Sequence, residues 1–294
     1  MDFAALQIFK AVVDEGGISP AAKRLHRVQS NVTTRIQQLE ASLGAKLFVR
    51  EKRRLFLSPA GKLFLGYAEQ MLAISAQARN AVADGTPRGD LRIGALESIV
   101  ASRLPPLLSR YHRQYPAVRV ELATDTNDAL IEAVLGRRVE AAFVAECPST
   151  GRLESTPAFN EELVVIAPRS HPPIRRAEDV QSDTIIAFPA GCAYRRRLQA
   201  WLGAGGVVPQ KTLELASYHA IVACVASGTG IALVPRSVLA TLRATDEIAA
   251  YPLAAKKGLL TNVLVWRKGE SSPMLNALQT ELAHQRKAGK GARV

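Results

Sequence analysis

The hydrophobic period of this chain changes once, near residue 90. Up to that point apolar residues recur every three or four positions, as they do on helices. From Leu91 onward short β-rich runs alternate with helical stretches. A chain of 294 residues with such a switch is expected to fold as a helical N-terminal module followed by an α/β module.

The first module is the more telling. Ala5 to Glu15 reads as a helix with Leu6, Phe9, Val12 and Val13 inward, stopped by Gly16-Gly17. Ser19-Pro20 reads as an N-cap and first helical residue, opening a short helix from Ala21 to Leu25. In the third helical stretch Val32, Ile36, Leu39 and Leu43 form one buried face. Ser30, Thr34 and Gln37 point the other way, flanked by Asn31, Thr33, Arg35 and Gln38. The order helix, short helix, turn, longer helix is that of a helix-turn-helix. A polar helix face taken alone is an ordinary solvated surface. The residues after this helix change its meaning: Leu47–Arg50 and Leu55–Ser58 read as two strands around a basic hairpin, Glu51-Lys52-Arg53-Arg54. Residues 1–60 carry ten basic and five acidic side chains. A winged helix-turn-helix holds DNA in this way, with the helix in the major groove and the wing against phosphate. Gln29, Ser30, Asn31, Thr33, Thr34, Arg35 and Gln37 are then the candidate base and backbone contacts, and Arg50, Arg53 and Arg54 the wing's phosphate contacts.

Composition narrows the classes. The formal net charge of +12 suits a polyanionic partner, though charge alone does not separate nucleic acid from a membrane surface. The longest apolar runs, such as Ala220–Ala226, fall far short of the ~18 residues of a membrane span. Asp2 and the lack of a basic leading region argue against a signal peptide. Cys147, Cys192 and Cys224 are few, odd in number and widely spaced, which suits a reducing cytoplasm better than a disulfide framework. The five histidines are scattered, and no metal site is expected. Gly228-Thr229-Gly230 follows a helix and precedes a strand, the reverse of a dinucleotide-binding turn, so it reads as a helix end. No nucleophile elbow, zinc-protease motif or P-loop occurs. No catalytic residues are expected, which sets aside an enzyme. The helix-turn-helix sets aside a solute-binding component of a transporter.

The stretch SPAAKRLHRVQSNVTTRIQQLEASLGAKLFVREKRRLFLSPAG, Ser19 to Gly61, resembles the N-terminal domain of LysR-type transcriptional regulators. It carries the blocks A-A-x-x-L-H, I-x-x-L-E-x-x-L-G-x-x-L-F-x-R and L-[ST]-x-A-G. It departs from the family's usual Ser-Gln-Pro or Ser-Gln-Ser at Val28-Gln29-Ser30, keeping the glutamine. It also has Thr33-Thr34 where Ser-Arg is common, with Arg35 one place later. These changes bear on base preference rather than on DNA binding itself.

Ser58-Pro59 then opens a helix to about Ala83, in which Phe64, Tyr67, Met71, Ile74 and Ala78 form a heptad-like seam. Such a seam either packs on its own domain or pairs two subunits. The resemblance implies the latter, with Phe64, Tyr67, Met71 and Ile74 at the dimer interface. Ala83–Asp90 is Pro/Gly-punctuated and reads as a linker.

Beyond it, strands are expected at Leu91–Ala95, Val118–Ala123, Ala141–Val144, Leu163–Ala167, Thr184–Phe188, Thr212–Leu215, Ile231–Val234 and Leu260–Trp266. Helices are expected at Ser102–Gln114, Asn127–Leu135, Tyr194–Leu202, His219–Ser227 and Met274–Arg286. The blocks LPPLLSRYHRQYPAVRVEL, LIEAVLGRRVEAAFV and VASGTGIALVPRSVL resemble the family's effector-binding domain, so the resemblance runs from about residue 3 to 286. It implies a two-lobed α/β domain built like a type 2 periplasmic binding protein. The organisation expected is a winged helix-turn-helix over 1–58, a linker helix over 59–84, a hinge over 85–90 and the effector domain over 91–294. Its lobe I takes about 91–167 and 261–286, its lobe II about 168–260.

The resemblance implies that a small-molecule effector, with no other cofactor, sits between the lobes. Ser98, Glu97, Thr126, Asn127, Cys192, Tyr194, Arg195, Ser217 and His219 are the candidate contacts, from loops after strands and from helix starts. Ser98, Thr126, Asn127, Ser217 and His219 also suit ordinary helix capping, and Arg195 a solvated charge. Glu97 either meets an amine of the effector or faces solvent. The partners implied are promoter DNA, the effector, RNA polymerase and a second copy of the chain, in a dimer that the family extends to a tetramer. No membrane is involved.

Overall fold

The computed structural model describes every residue except 52–53, 82–85, 150, 243–245, 254–257 and 292–294. The chain divides into two compact units, Met1–Gly85 with Gly136–Arg138, and Thr86–Leu135 with Val139–Val294. Arg53, the end of the expected linker helix and the first hinge residue lie outside the described residues.

The first unit opens with α1 (Phe3–Asp14), whose N-cap Asp2 accepts the Ala5 amide at 2.7 Å. Helix α2 (Ile18–Arg24) starts at Ile18 with Gly17 as N-cap. Ser19-Pro20 therefore lies inside the first turn, where proline's missing N–H breaks no intrahelical bond. Helix α3 (Gln29–Leu43) ends at Gly44 in the left-handed region, φ 65°. Leu43, expected inward, is exposed beside that cap. Strands β1 (Phe48–Glu51) and β2 (Arg54–Leu57) form the antiparallel wing, pairing Phe48 with Leu57 and Glu51 with Arg54. Helix α4 (Pro59–Ala81) follows.

Two buried polar residues tie the wing to the helices. Glu40 is buried on α3, and its carboxylate accepts the Leu47 amide at 2.8 Å and the Phe48 amide at 3.2 Å while pairing Lys46 at 2.8 Å. Burial pushes its carboxyl up, but these bonds together outweigh that and hold it below the ordinary range. Ser58 accepts the Gly61 amide at 2.9 Å and donates to the Lys46 carbonyl at 2.5 Å. A side chain on Gly61 would stand 2.0 Å from the Leu47 carbonyl oxygen, so the close approach requires glycine. The core gathers around Phe9, whose ring lies 5.4 Å from Phe48 and 5.2 Å from Phe64.

That packing redraws the expected seam of α4. Phe64 and Met71 lie against the unit's own core. The exposed apolar residues are Leu63, Tyr67 and Ile74, at 67%, 57% and 45%. Tyr67 and Ile74 belong to the expected set, and Leu63 does not.

The second unit alternates strands and helices: β3 (Gly89–Ala95), α5 (Glu97–Ser102), α6 (Leu104–Gln114), β4 (Val118–Thr124), α7 (Asn127–Leu135), β5 (Ala141–Val144) and β6 (Leu153–Pro168). It continues with β7 (Thr184–Ala187), α8 (Ala193–Ala204), β8 (Lys211–Glu214), α9 (Tyr218–Ala226), β9 (Ala232–Pro235) and α10 (Arg236–Leu239). Last come β10 (Ile248–Pro252), β11 (Leu259–Arg267) and α12 (Pro273–Gly291). The helix expected at Ser102–Gln114 begins at Leu104, with Pro105 and Pro106 in its first turn, where proline fits.

Strand β6 serves two lobes. Leu153–Glu162 pairs antiparallel with β11, in a sheet continued by β5, β3 and β4. From Leu163 it pairs instead with β9 and β10. The parallel pair β7–β8 joins that second sheet through a bridge between Ile185 and Ile231. The chain thus crosses between lobes at Glu162–Leu163, ahead of the expected Ala167, and returns with β11. At the crossing the buried Glu161 carboxylate accepts from the Ser237 hydroxyl at 2.7 Å and pairs Arg103 at 3.3 Å, linking α10 of one lobe to the α5–α6 junction of the other.

Candidate functional site

Each unit carries one surface with the chemistry of a site. On the first, the packing of Val32, Ile36 and Leu39 into the core turns the opposite face of α3 outward. Gln29, Ser30, Asn31, Thr34 and Gln37 are exposed on it, and Thr33 and Arg35 half-buried. Several are held in place. Gln29 donates to the Ser19 hydroxyl of α2, and Asn31 accepts from Arg27 at 3.3 Å. Thr33 donates back to the Gln29 carbonyl at 3.0 Å, so its hydroxyl serves its own helix. Arg35 pairs with Asp2 at 3.4 Å. Ser30, Thr34 and Gln37 make no side-chain hydrogen bond among the described residues. Arg50 is exposed on β1, and Arg54 stands opposite Glu51 in the wing.

The second unit holds an open cavity of about 200 Å³ between its two lobes. Leu96, Glu97 and Ser98 enter from the start of α5, Thr124, Asp125 and Thr126 from the end of β4. Phe188, Pro189, Cys192, Ala193 and Tyr194 enter from the β7–α8 loop, and Ala216 and Tyr218 from the start of α9. The floor is a buried polar contact across the cleft, Ser98 Oγ to Tyr194 Oη at 3.4 Å. Phe188 and Tyr218 form an aromatic wall, ring centroids 4.8 Å apart and tilted by 54°. Gly191, at φ +90°, lets the loop pass over Thr126: a Cβ there would stand 3.0 Å from the threonine Oγ1. Burial pushes the Tyr194 and Tyr218 phenols and the Cys192 thiol well toward their neutral forms. Burial also raises the Glu97 carboxyl, opposed by the nearby His219.

Of the nine residues expected at the effector site, five line this cavity: Glu97, Ser98, Thr126, Cys192 and Tyr194. Four do not. Asn127 is buried, and its side chain accepts the Ala145 and Glu146 amides at 3.0 and 3.1 Å and donates to the Glu146 carbonyl at 3.1 Å. It fastens α7 to the end of β5. Arg195 is turned to Glu214 and the Phe188 carbonyl. Ser217 is the N-cap of α9 without a side-chain cap bond, and His219 is exposed. Asp125, Phe188 and Tyr218 were not expected, yet each sits at a strand end or helix start. The positional rule that selects Ser98 applies equally to them, and Tyr218 is one residue past the expected Ser217.

The comparisons with known proteins agree across both units. A family model described as "Bacterial regulatory helix-turn-helix protein, lysR family" matches residues 3–62, and one described as "LysR substrate binding domain" matches residues 84–287. The chain belongs to the LysR family. The HTH-type transcriptional regulator GltR of Bacillus subtilis (strain 168) is 36% identical over 284 residues, 96% of either chain. A crystal structure of full-length CbnR complexed with its target DNA matches with a TM-score of 0.70 at 25% identity, covering 97% of this chain and 99% of that one. A full-length OxyR variant from Pseudomonas aeruginosa shares the fold, with a TM-score of 0.72 at 22% identity over 96% and 94% of the two chains. This LysR-type regulator is therefore a DNA-binding transcriptional regulator with an effector-binding α/β domain. No helix among its described residues is long and apolar enough to cross a membrane.

Proposed function

We propose that this regulator reads its promoter through the outward face of α3 and changes its grip when a small molecule fills the cavity between the lobes. The observation that carries the reading is the presence, in one LysR-type chain, of an exposed polar face on α3 and an open cavity lined by Ser98 and Tyr194. Gln29, Ser30, Asn31 and Thr34 meet base edges, Thr33, Arg35 and Gln37 support or extend that contact, and Arg50, Arg53 and Arg54 neutralise phosphate. CbnR, a protein of similar fold and full-length match that is complexed with its target DNA, supports DNA binding. The protein acts in the cytoplasm as a dimer, further assembled to a tetramer, and is not an enzyme. RNA polymerase is its partner at the promoter. The apolar stripe Leu63, Tyr67 and Ile74 on α4 supports the pairing of two chains.

The test is a thermal-shift screen of metabolites on the full-length protein, with hits carried into DNA-binding titrations. A true effector at about 100 times its Kd stabilises the fold by ~2.7 kcal/mol and alters promoter affinity. A hit that binds the effector domain but leaves promoter binding unchanged speaks against the reading.

A further inference from the structure

The charge of the cavity walls says what kind of molecule they suit. Glu97 and Asp125 line the cavity, and its described lining contains no lysine, arginine or histidine. The arginines that begin α8 do not supply the missing charge. Arg195 pairs with Glu214, Arg196 with Asp128 at 2.8 Å and Glu146 at 3.1 Å, and Arg197 with Glu146 at 3.1 Å. Each is committed to a carboxylate outside the lining.

Glu97 is the residue left wanting. Its Oε2 is buried and has no hydrogen-bond partner, and a buried carboxylate oxygen in that state is costly unless a cation or a proton meets it. The neighbouring His219 is exposed and outside the lining. Asp125 is exposed at the mouth, where its Oδ1 already accepts the Thr126 amide at 2.7 Å. Beside these acids stands the tilted pair Phe188 and Tyr218. Aromatic faces next to a carboxylate are the surroundings in which organic ammonium groups are bound, because ring quadrupole and carboxylate attract the same charge. The helix starts at Leu96 and Cys192 favour negative charge, but a partial dipolar charge is weaker than an unpaired carboxylate at close range. An anionic ligand would face two acids with no basic side chain in the lining to offset them.

We propose that the effector of this regulator is a small organic cation, its ammonium group set beside Glu97 and its apolar body laid against Phe188 and Tyr218. The proposal rests on the cavity being the effector site. A cavity of about 200 Å³ has the volume of roughly seven liquid waters at ~30 Å³ each, room for one ring or a short branched chain.

The experiment uses the full-length protein and three probes of one size and different charge: benzylamine, benzyl alcohol and benzoate. Binding is measured by calorimetry on wild type, Glu97→Gln and Ala216→Trp, with circular dichroism confirming that each variant is folded. Ala216 is an exposed lining residue, so tryptophan there fills the cavity without entering the core. The proposal expects benzylamine to bind wild type more tightly than the alcohol or the acid. Glu97→Gln should weaken benzylamine by roughly ten- to a hundredfold, the loss of a bond to a charged group, and leave benzyl alcohol unchanged. Ala216→Trp should abolish both. A preference for benzoate, an amine indifferent to Glu97→Gln, or no amine binding at all would overturn the cation assignment. In the first two outcomes, loss of binding in Ala216→Trp would still keep the cavity as the ligand site. Probes that bind Ala216→Trp as well as wild type would remove the cavity reading itself.

Discussion

The recognition surface and the effector cavity are built in opposite ways. The first comes almost whole from one helix and the two strands after it, within Gln29–Leu57. The second is concave and gathers residues from Leu96 to Tyr218, brought together by four separate loop or helix-start segments. In the first, the positions that hold the shape are neighbours in sequence of those proposed to touch DNA. Glu40 seats the wing, and Ser58 with Gly61 turns the chain into α4. In the second, shape and contact are carried by residues far apart, and a polar side chain beside the cavity can belong wholly to the scaffold. Asn127 does.

The contrast predicts where damage falls. Gly61→Ala should have the largest effect. The added methyl would meet a backbone carbonyl at 2.0 Å, which cannot yield as a side-chain tip does, at a cost of about 3 kcal/mol or more. Thermal melts should show the N-terminal unit lost while the C-terminal unit still binds its ligand; a single unchanged transition would show that the turn tolerates a side chain after all.

Ile74→Asp comes next. Ile74 is 45% exposed and outside the core of its unit, so the substitution leaves the fold intact. It would place an uncompensated charge in a subunit interface. Light scattering should report a halved mass, and promoter affinity should fall with the loss of the second half-site. Met71 gives a less clean answer, because it also packs on its own core. An unchanged mass for Ile74→Asp would move the interface elsewhere.

Asn127→Ala separates scaffold from contact in the cavity. It strands the Ala145 and Glu146 amides, one of them on a buried residue, and should cost about 2 kcal/mol of stability in the second unit. Ser98→Ala loses the 3.4 Å contact with Tyr194 but strands no backbone amide, so it should change the melt less than Asn127→Ala yet weaken the effector. Calorimetry alongside melting checks the pair; equal effects of both on ligand affinity would put Asn127 among the contacts.

The same contrast explains which features are legible in the sequence. The helix-turn-helix is legible because a recurring local pattern needs those residue types at those spacings. The α/β class is legible from the runs Leu91–Ala95 and Ala141–Val144. Other features are not. The first half of β6, LESTPAFNEE, is polar and contains Pro157, so it does not read as a strand; its pairing with β11 makes it one. Strand β10, with two alanines and a proline, is likewise set by its neighbour β6. On α4, apolar residues lie on both sides of the helix, and periodicity alone does not tell which stripe meets Phe9. The ring contact of Phe64 with Phe9 decides it. At the cavity, spacing selects strand ends and helix starts correctly. It does not say which way Asn127 or Arg195 turns, since that depends on acceptors such as Glu146 and Glu214, which lie far along the chain.

The most direct test of the central claim is the specificity of the exposed face of α3. Full-length protein is titrated by fluorescence anisotropy against the duplex upstream of its own gene and against a shuffled duplex of the same composition, as wild type and as Thr34→Ala. The account predicts that wild type favours the natural duplex by roughly a thousandfold or more. Thr34→Ala should lose about 1–3 kcal/mol on that duplex and little on the shuffled one. Equal affinity of wild type for both duplexes, or an equal loss on both in the variant, would contradict it.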